Sequence, residues 1–299
     1  MSFVGIVTHG GAGSPKEWRD GCEHSADIGL KQLLENHSAY EAVLKAVVFL
    51  EDDGRYNAGS GSSYRLDGKT IEMDAAVMSS DGKLGAVACI SGVKNPVLVA
   101  SEVVCSPHHI LSGAGSVLFA RKKGFPEYYP DIRWAKERYE KLLTTFLKKN
   151  GDSAAEYEIQ DFVKNWNFET ASSEIFPLDT VGAVAKDKNG NFAVAVSTGG
   201  SGAMLKGRVG DTPLIGSGFF AGAHGAVACT GIGEEIMKKL LAKTVYDLLA
   251  QGIAPEAACE KGVRLFPETI PVGVIAVSLE GAGYFSNTGM AAAILERRE

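Results

Sequence analysis

Two short runs in this 299-residue chain, FAVAV (192–196) and VGVIAV (272–277), are apolar or glycine at every position. A strand with one wet face alternates polar and apolar residues, so a run without polar alternates is covered on both sides. A sheet of such strands needs a second sheet against one face and helices against the other. The sequence supplies both kinds of partner. FVGIVTHG (3–10) is a β-rich run closed by glycines, and TIEMDAAVM and GAVACISGV bracket a Ser-Ser-Asp-Gly turn at 79–82, which predicts a hairpin. VGVIAVSLEGAGYFS predicts another, near the end of the chain. Helical spacing runs over 17–35, and Ser38 with Glu41 three residues on forms a capping-box signature before AYEAVLKAVVFLEDD. Further helices are expected over NPVLVASEVV, 112–123, 131–149, 234–250 and 255–264, with a glycine-rich stretch over 199–233. The expected fold class is α/β (α+β), a four-layer α/β/β/α sandwich in a single domain.

Charge and motif content narrow the functional classes. The net charge is −6, and the densest basic run, KERYEKLLTTFLKK, carries acids of its own, as a solvated helix face does. That excludes the clustered basic surface that nucleic acid requires. No apolar run approaches the roughly 20 residues that span a bilayer, and no signal-peptide pattern opens the chain. Five cysteines, an odd number without a CxxC pair, read as reduced thiols, so a soluble cytoplasmic protein is expected. There is no G-x-S-x-G elbow, no H-E-x-x-H, no Walker motif and no strand–GxGxxG–helix unit.

Attention therefore falls on PLDTVGAVAKDKNGNFAVAVSTGG (177–200). Asn189-Gly190 signals a tight turn between two apolar strands. A two-residue loop there sets Thr180 opposite Gly199, and a three-residue loop sets it opposite Thr198. In either register the two threonines are close, with β-carbons about 5–8 Å apart. The acidic segment 150–179, read as a mobile linker tail, ends at Asp179, so the chain from Thr180 onward could stand alone after a cut. A threonine hydroxyl is a weak nucleophile without a base, and an N-terminal threonine carries one in its own α-amine, whose ordinary pKa is near 8. Gly199 and Gly200 are expected to leave room for a substrate beside the backbone.

On these and other motifs the chain resembles the plant-type (isoaspartyl) asparaginases, or isoaspartyl peptidases, of the N-terminal-nucleophile (Ntn) hydrolases. The matching stretches are HGGAG (9–13), YNAGSGS (56–62), EMDAAVM (72–78), DTVGAVA (179–185), STGG (197–200), GRVGDTP (207–213) and CTGIGE (229–234), in order along essentially the whole chain. The resemblance implies a precursor that cleaves itself between Asp179 and Thr180 into an α-subunit (1–179) and a β-subunit (180–299). It implies Thr180 as nucleophile, Thr198 as its hydrogen-bonding partner, and Thr230 with Gly231 as the oxyanion hole. Arg208 is implied to clamp the substrate α-carboxylate, Asp211 to take the α-ammonium, Gly231 and Gly233 to line that pocket, and Asn57 to support the site. The resemblance implies catalysis without a cofactor. A structural sodium ion is implied on main-chain carbonyls of Leu50, Glu51, Asp53, Tyr56, Ala58 and Ser60, with the Asp52 and Asp53 carboxylates solvated.

The implied substrates are L-asparagine and β-aspartyl dipeptides, and the implied assembly is a homodimer of cleaved protomers. Two stretches, SGAMLK (201–206) and GFFAGAHGAVAC (218–229), depart from the family pattern on the leaving-group side and bear on substrate preference. Two alternatives stay open: a glycosylasparaginase-like amidase, and a non-catalytic amino-acid-binding protein of the same fold.

Overall fold

The two-sided apolar runs lie in stacked sheets in a computed structural model that describes residues 3–65, 67–129, 133, 135–137, 139–140, 180–200 and 204–298. Strand β1 (Phe3–Ala12) leads to helices α1 (Arg19–Asn36) and α2 (Ala39–Asp53), then the hairpin β2 (Met73–Ser79) and β3 (Leu84–Ile90). Helix α3 (Pro96–Val103), strand β4 (Ile110–Ser112) and helix α4 (Gly113–Lys122) follow. From residue 180 come β5 (Val181–Lys186), β6 (Phe192–Thr198), β7 (Phe219–Gly222) and β8 (Gly225–Gly231). Helices α5 (Gly233–Lys239), α6 (Leu241–Ala250) and α7 (Pro255–Val263) precede β9 (Val272–Ser278), β10 (Ala282–Ser286) and β11 (Met290–Arg298). One sheet has the order β11-β1-β5-β6-β2-β3-β4, the other β10-β9-β8-β7.

Three buried clusters correspond to the three interlayer spaces of the sandwich. Ala183, Ala185, Ala193 and Ala195 meet Val43, Val47 and Leu50 of α2 between the larger sheet and its helices. Val184, Val194 and Val196 meet Phe219, Ile275 and Val277 between the two sheets. Val227, Val274 and Ala276 meet Leu241, Val245 and Val263 beneath α6 and α7. Alternate residues of β5 and β6 thus divide by size. Alanines let the helices sit close to the sheet, while the larger valines fill the space between sheets. The α/β/β/α sandwich follows from this period-2 division.

Several local expectations hold. Ser38 caps α2 by accepting the Glu41 N–H at 3.2 Å. The hairpins β2–β3 and β9–β10 form as read. Lys186 pairs with Phe192, so the loop of the β5–β6 hairpin is the three-residue alternative, 188–190.

Others are corrected. The stretch 199–233 holds two strands, β7 and β8, whose glycines and alanines carry little apolar signal but permit close contact. A β-carbon on Gly222, for instance, would lie 2.4 Å from the Tyr246 hydroxyl. The helix expected over 234–250 breaks at Leu240 (φ 45°), because the Ala242 and Lys243 N–H groups bond to the Ser217 and Gly216 carbonyls instead of continuing the helix. Strands β4 and β11 were not expected: β4 pairs in parallel with β3, and β11 covers the outer edge of β1. The expected helix over 131–149 lies mostly, and the linker 150–179 wholly, outside the described residues.

Helix α3 rests on β3 through Gly85, where a β-carbon would fall 2.1 Å from the Ala100 carbonyl oxygen and 3.0 Å from the Val104 nitrogen. Since the clash is with backbone, Gly85→Ala is expected to destabilise the fold by about 1–3 kcal/mol, measured by chemical denaturation.

Candidate active site

The same alternation that builds the core selects the site. On β6, Phe192, Val194 and Val196 face the other sheet, so Thr198 does too, while Ser197 faces the helices. On β5, Val184 shares that inter-sheet face with Gly182 and Thr180. On β8, Ala226 and Ala228 point there, and Thr230 follows them. On β2, Ala76 does, and so does Asp74, which pairs with Thr198 across the strands. The apolar inter-sheet space therefore ends in a ring of polar side chains, all nearly buried: Thr180 8% exposed, Thr198 4%, Thr230 1% and Asp74 1%.

The two threonines face each other directly. One step beyond the Val181–Ser197 pair, Thr180 Oγ1 donates to Thr198 Oγ1 at 3.4 Å. Thr198 Oγ1 also accepts the Gly200 N–H at 3.0 Å. Asn57 secures the same strand end: its carbonyl accepts the Gly199 N–H at 2.7 Å, and its Nδ2 donates to the Gly200 carbonyl. Asn57 Oδ1 in turn accepts from Ser63 N–H at 3.0 Å and Ser63 Oγ at 3.1 Å. The space beside Gly199 and Gly200 is filled rather than open. β-Carbons there would lie 2.5 Å from Ser62 Cβ and 2.3 Å from Met204 Cε. These glycines admit the protein's own side chains, which corrects the expectation of room for a substrate beside the backbone.

Strand β1 ties the remaining groups in. His9 lies opposite Gly182, with its Nε2 2.5 Å from where a β-carbon on that glycine would stand. Complete burial pulls the His9 pKa down to about 3, only partly offset by the Thr180 backbone, so the imidazole is neutral. The Ala12 N–H donates to Thr230 Oγ1 at 3.1 Å, which engages a lone pair of that oxygen and turns its proton away from β1. Gly231 adopts φ 146°, and a β-carbon on it would meet the Pro271 carbonyl at 2.5 Å, so glycine is required.

A second group lies where β8 runs into α5. A β-carbon on Gly233 would stand 2.7 Å from Arg208 Nη2 and 3.0 Å from Asp211 Oδ1, so the cation and the anion converge on this bare position. Arg208 is held through Nε and Nη2 by Glu234, at 2.8 and 2.7 Å. Asp211 is 5% exposed, and its Oδ2 has no hydrogen-bond partner among the described residues. Burial raises its pKa to about 7, against the opposing pull of Arg208. A buried anionic oxygen without a donor, beside a guanidinium, suits the charged head of an α-amino acid.

Of the six carbonyls expected to hold sodium, those of Glu51 and Tyr56 converge on Gly59 and Gly61, joined by that of Gly54. β-Carbons there would meet the Glu51 carbonyl at 2.6 Å, the Tyr56 carbonyl at 1.9 Å and the Gly54 carbonyl at 2.6 Å. Leu50, Tyr56 and Ala58 are fully buried, and Ser60 Oγ lies 3.1 Å from the Tyr128 hydroxyl. This carbonyl-lined cradle has the donor chemistry of a hard monovalent cation. Among the described residues no trio of His, Cys, Asp or Glu forms a metal centre. The Asp52 and Asp53 carboxylates are not simply solvated: Asp52 pairs with Lys94 at 2.8 Å and Asp53 with Arg55 at 2.7 Å.

Sequence reading passed over Arg65, Glu72, Asp74, Glu234 and the Glu51 side chain. Glu51 is fully buried, with its pKa raised to about 8 by that burial, and it accepts the Val97 N–H at 3.0 Å. Glu72 and Asp74 carried a usable signal, two acids two residues apart entering a strand that is otherwise apolar. Asp179, the other half of the expected cleavage site, lies outside the described residues.

A family model described as asparaginase matches residues 2–299. The chain is 40% identical over 302 residues to the plant-type L-asparaginase of Pyrococcus furiosus, covering 96% of this chain and 94% of that protein. It is 38% identical over 288 residues to the isoaspartyl peptidase/L-asparaginase of Xenopus laevis, covering 92% and 86%. It is also 38% identical over 311 residues to the isoaspartyl peptidase of Salmonella typhimurium, covering 97% and 94%.

Asn57→Ala leaves the buried Ser63 N–H and Gly200 carbonyl without this partner. It is expected to cost about 2 kcal/mol of stability, read as a fall in thermal midpoint.

Proposed function

The chain belongs to the asparaginase family, and on that footing we propose that it is an autoprocessing threonine amidohydrolase acting on L-asparagine and β-aspartyl dipeptides. The Thr180–Thr198 hydroxyl pair, 3.4 Å apart at the inter-sheet end of the central hairpin, carries this reading. In the precursor, the Thr180 oxygen attacks the Asp179 carbonyl carbon and the peptide C–N bond breaks. The resulting ester is hydrolysed by water, which leaves Asp179 as a new carboxylate and Thr180 with a free amine and hydroxyl. The products are an α-subunit, 1–179, and a β-subunit, 180–299.

In the mature enzyme, the Thr180 amine takes the hydroxyl proton as the oxygen attacks the substrate side-chain carbonyl. Thr198 hydrogen-bonds the nucleophile through its hydroxyl and orients it, donating its own proton once the Thr180 proton has passed to the amine. The Thr230 hydroxyl and the Gly231 N–H stabilise the oxyanion, where a single such donor is commonly worth about 3 kcal/mol. The protonated amine delivers its proton to the leaving ammonia or amino acid. Water then hydrolyses the β-aspartyl ester and releases L-aspartate.

Glu234 engages the Nε–Nη2 edge of Arg208, and the substrate α-carboxylate takes the other edge. Asp211 takes the α-ammonium through the oxygen that lacks a protein donor. The main-chain carbonyls of Leu50, Glu51, Asp53, Tyr56, Ala58 and Ser60 would hold a sodium ion, which would offset their partial negative charges in the loop around Asn57. The chain works as a cytoplasmic homodimer of cleaved protomers. Five free cysteines support a reducing compartment. No helix of the described residues is long and apolar enough to cross a membrane. The names of the relatives favour asparagine and isoaspartyl substrates over glycosylated asparagine.

On a denaturing gel, incubated protein should resolve into fragments 1–179 and 180–299, whereas Thr180→Ala should stay whole. A chain that stays whole, releases no ammonia from asparagine and no aspartate from β-aspartyl-leucine would sink the proposal.

The pH dependence should separate two groups. Asp211 is protonated below about 7, so asparagine KM should rise as pH falls through that value. The amine must be deprotonated to act as base, so kcat should climb toward about pH 8, the ordinary α-amine value. A KM that is flat from pH 5 to about 8 would contradict the role given to Asp211.

A further inference from the structure

The loop carrying Arg208 has no regular secondary structure, yet side chains from the segment entering β2 hold it at three backbone points. Glu72 Oε2 accepts the Gly207 N–H at 2.7 Å. Asp74 Oδ2 accepts the Gly210 N–H at 3.4 Å. Arg65 Nη2 donates to the carbonyl oxygen of Arg208 itself, at 3.4 Å, and the Cys89 thiol lies 3.6 Å from the same oxygen. Arg65 is locked in turn by Glu72, through Nε to Oε2 and Nη2 to the carbonyl, both at 3.2 Å. On its opposite side, Arg65 Nη1 stands 2.6 Å from where a β-carbon on Gly200 would be. One guanidinium, only 1% exposed, therefore spans from the end of the Thr198 strand to the loop of the carboxylate clamp.

We propose that Arg65 and Glu72 are positioning residues that set the Arg208 clamp at its working distance from the Thr198–Gly200 strand end, and with it the affinity for the substrate α-carboxylate. This rests on the reading of Arg208 as that clamp.

Stability alone is a poor reason for such a pair. A buried ion pair gains little over well-packed apolar side chains of similar volume. What it supplies is direction. The planar fork of Arg65 serves a carboxylate and two backbone carbonyls at once, which neither lysine nor an apolar residue can do. The nucleophile does not share this dependence. Thr180 reaches Thr198 through the β5–β6 pairing, and the strand end is fixed by Asn57, so self-cleavage can proceed without a well-placed Arg208.

The test compares Glu72→Gln, Arg65→Lys and Arg65→Met with the unaltered protein on asparagine and on asparagine α-amide, which lacks the carboxylate. Self-cleavage on a gel reports folding and the nucleophile. Glu72→Gln and Arg65→Met should cleave normally, keep kcat on asparagine and raise its KM about tenfold, as loss of a charged hydrogen bond would. Turnover of the α-amide should be unchanged, so the preference for asparagine shrinks, and Arg65→Lys should recover part of it.

Equal losses on both substrates, or an unchanged asparagine KM in both variants, would overturn the inference. If Arg65→Met does not fold, Glu72→Gln, which keeps size and shape, decides alone. An unaltered enzyme without preference for asparagine over its α-amide overturns the clamp and this inference together. A preference that survives undiminished in the variants overturns this inference only.

Discussion

The register of the β5–β6 hairpin is the constraint on which the rest of the molecule depends. Side chains alternate with period 2, so a slip of one residue would send every inward group of β6 to the other face. Thr198 would then point at α2, and the alanines would leave the space between the sheets half empty. The register is held at the turn by Asp187, whose Oδ1 accepts the Asn189 and Asn191 N–H groups, both at 2.9 Å. Asp187 Oδ2 accepts Asn191 Nδ2 at 3.0 Å and the first N–H of α2, from Ala39, at 3.3 Å. Gly190 takes the φ of 84° that the three-residue loop needs. One aspartate thereby fixes the turn, the approach of α2, and the meeting of two hydroxyls at the far end of the strands.

Burial acts on the titratable groups in and around that polar ring according to their charge. His9 is held neutral, and the carboxyls of Asp74 and Asp211 are pushed above their ordinary range. Asp74 is compensated by the Cys89 N–H at 2.7 Å and by the Gly210 N–H, with Arg65 near it. Asp211 has less compensation, since one of its oxygens lacks a donor. Such a group is costly to a fold that never binds anything, and the cost disappears when a cation arrives. The contrast between these two aspartates is what the proposed role of Asp211 in taking the substrate ammonium rests on.

The layers were legible in the sequence because FAVAV and VGVIAV leave no face for water. The hairpin at Asn189-Gly190 was legible because turn chemistry is local. Strands β7 and β8 were not: FFAG and GAVACTG have the composition of a glycine-rich loop, and only packing against Tyr246 and the facing sheet makes them strands. The break at Leu240 was equally hidden, since the acceptors that start α6 belong to residues 216–217. At the site, Arg208, Asp211 and Gly233 were named through resemblance, and they do converge. Arg65 gave no local sign, because its meaning lies in contacts with residues 139 and 143 positions away.

The proposed cut makes one further demand on the fold. It opens the chain at the entry of β5, a strand with neighbours on both sides in the larger sheet. A new terminus usually frays unless its backbone is tied down. Here β5 pairs with β1 from Gly182 to Lys186 and with β6 from Val181 onward, so the ladder begins one residue after Thr180. The new amine is therefore born at the end of a strand that cannot peel away without breaking two ladders. A nucleophile on an edge strand or a surface loop would lose its alignment when the peptide bond broke. Placed at the head of an interior strand, it keeps that alignment, and the base it needs appears beside it.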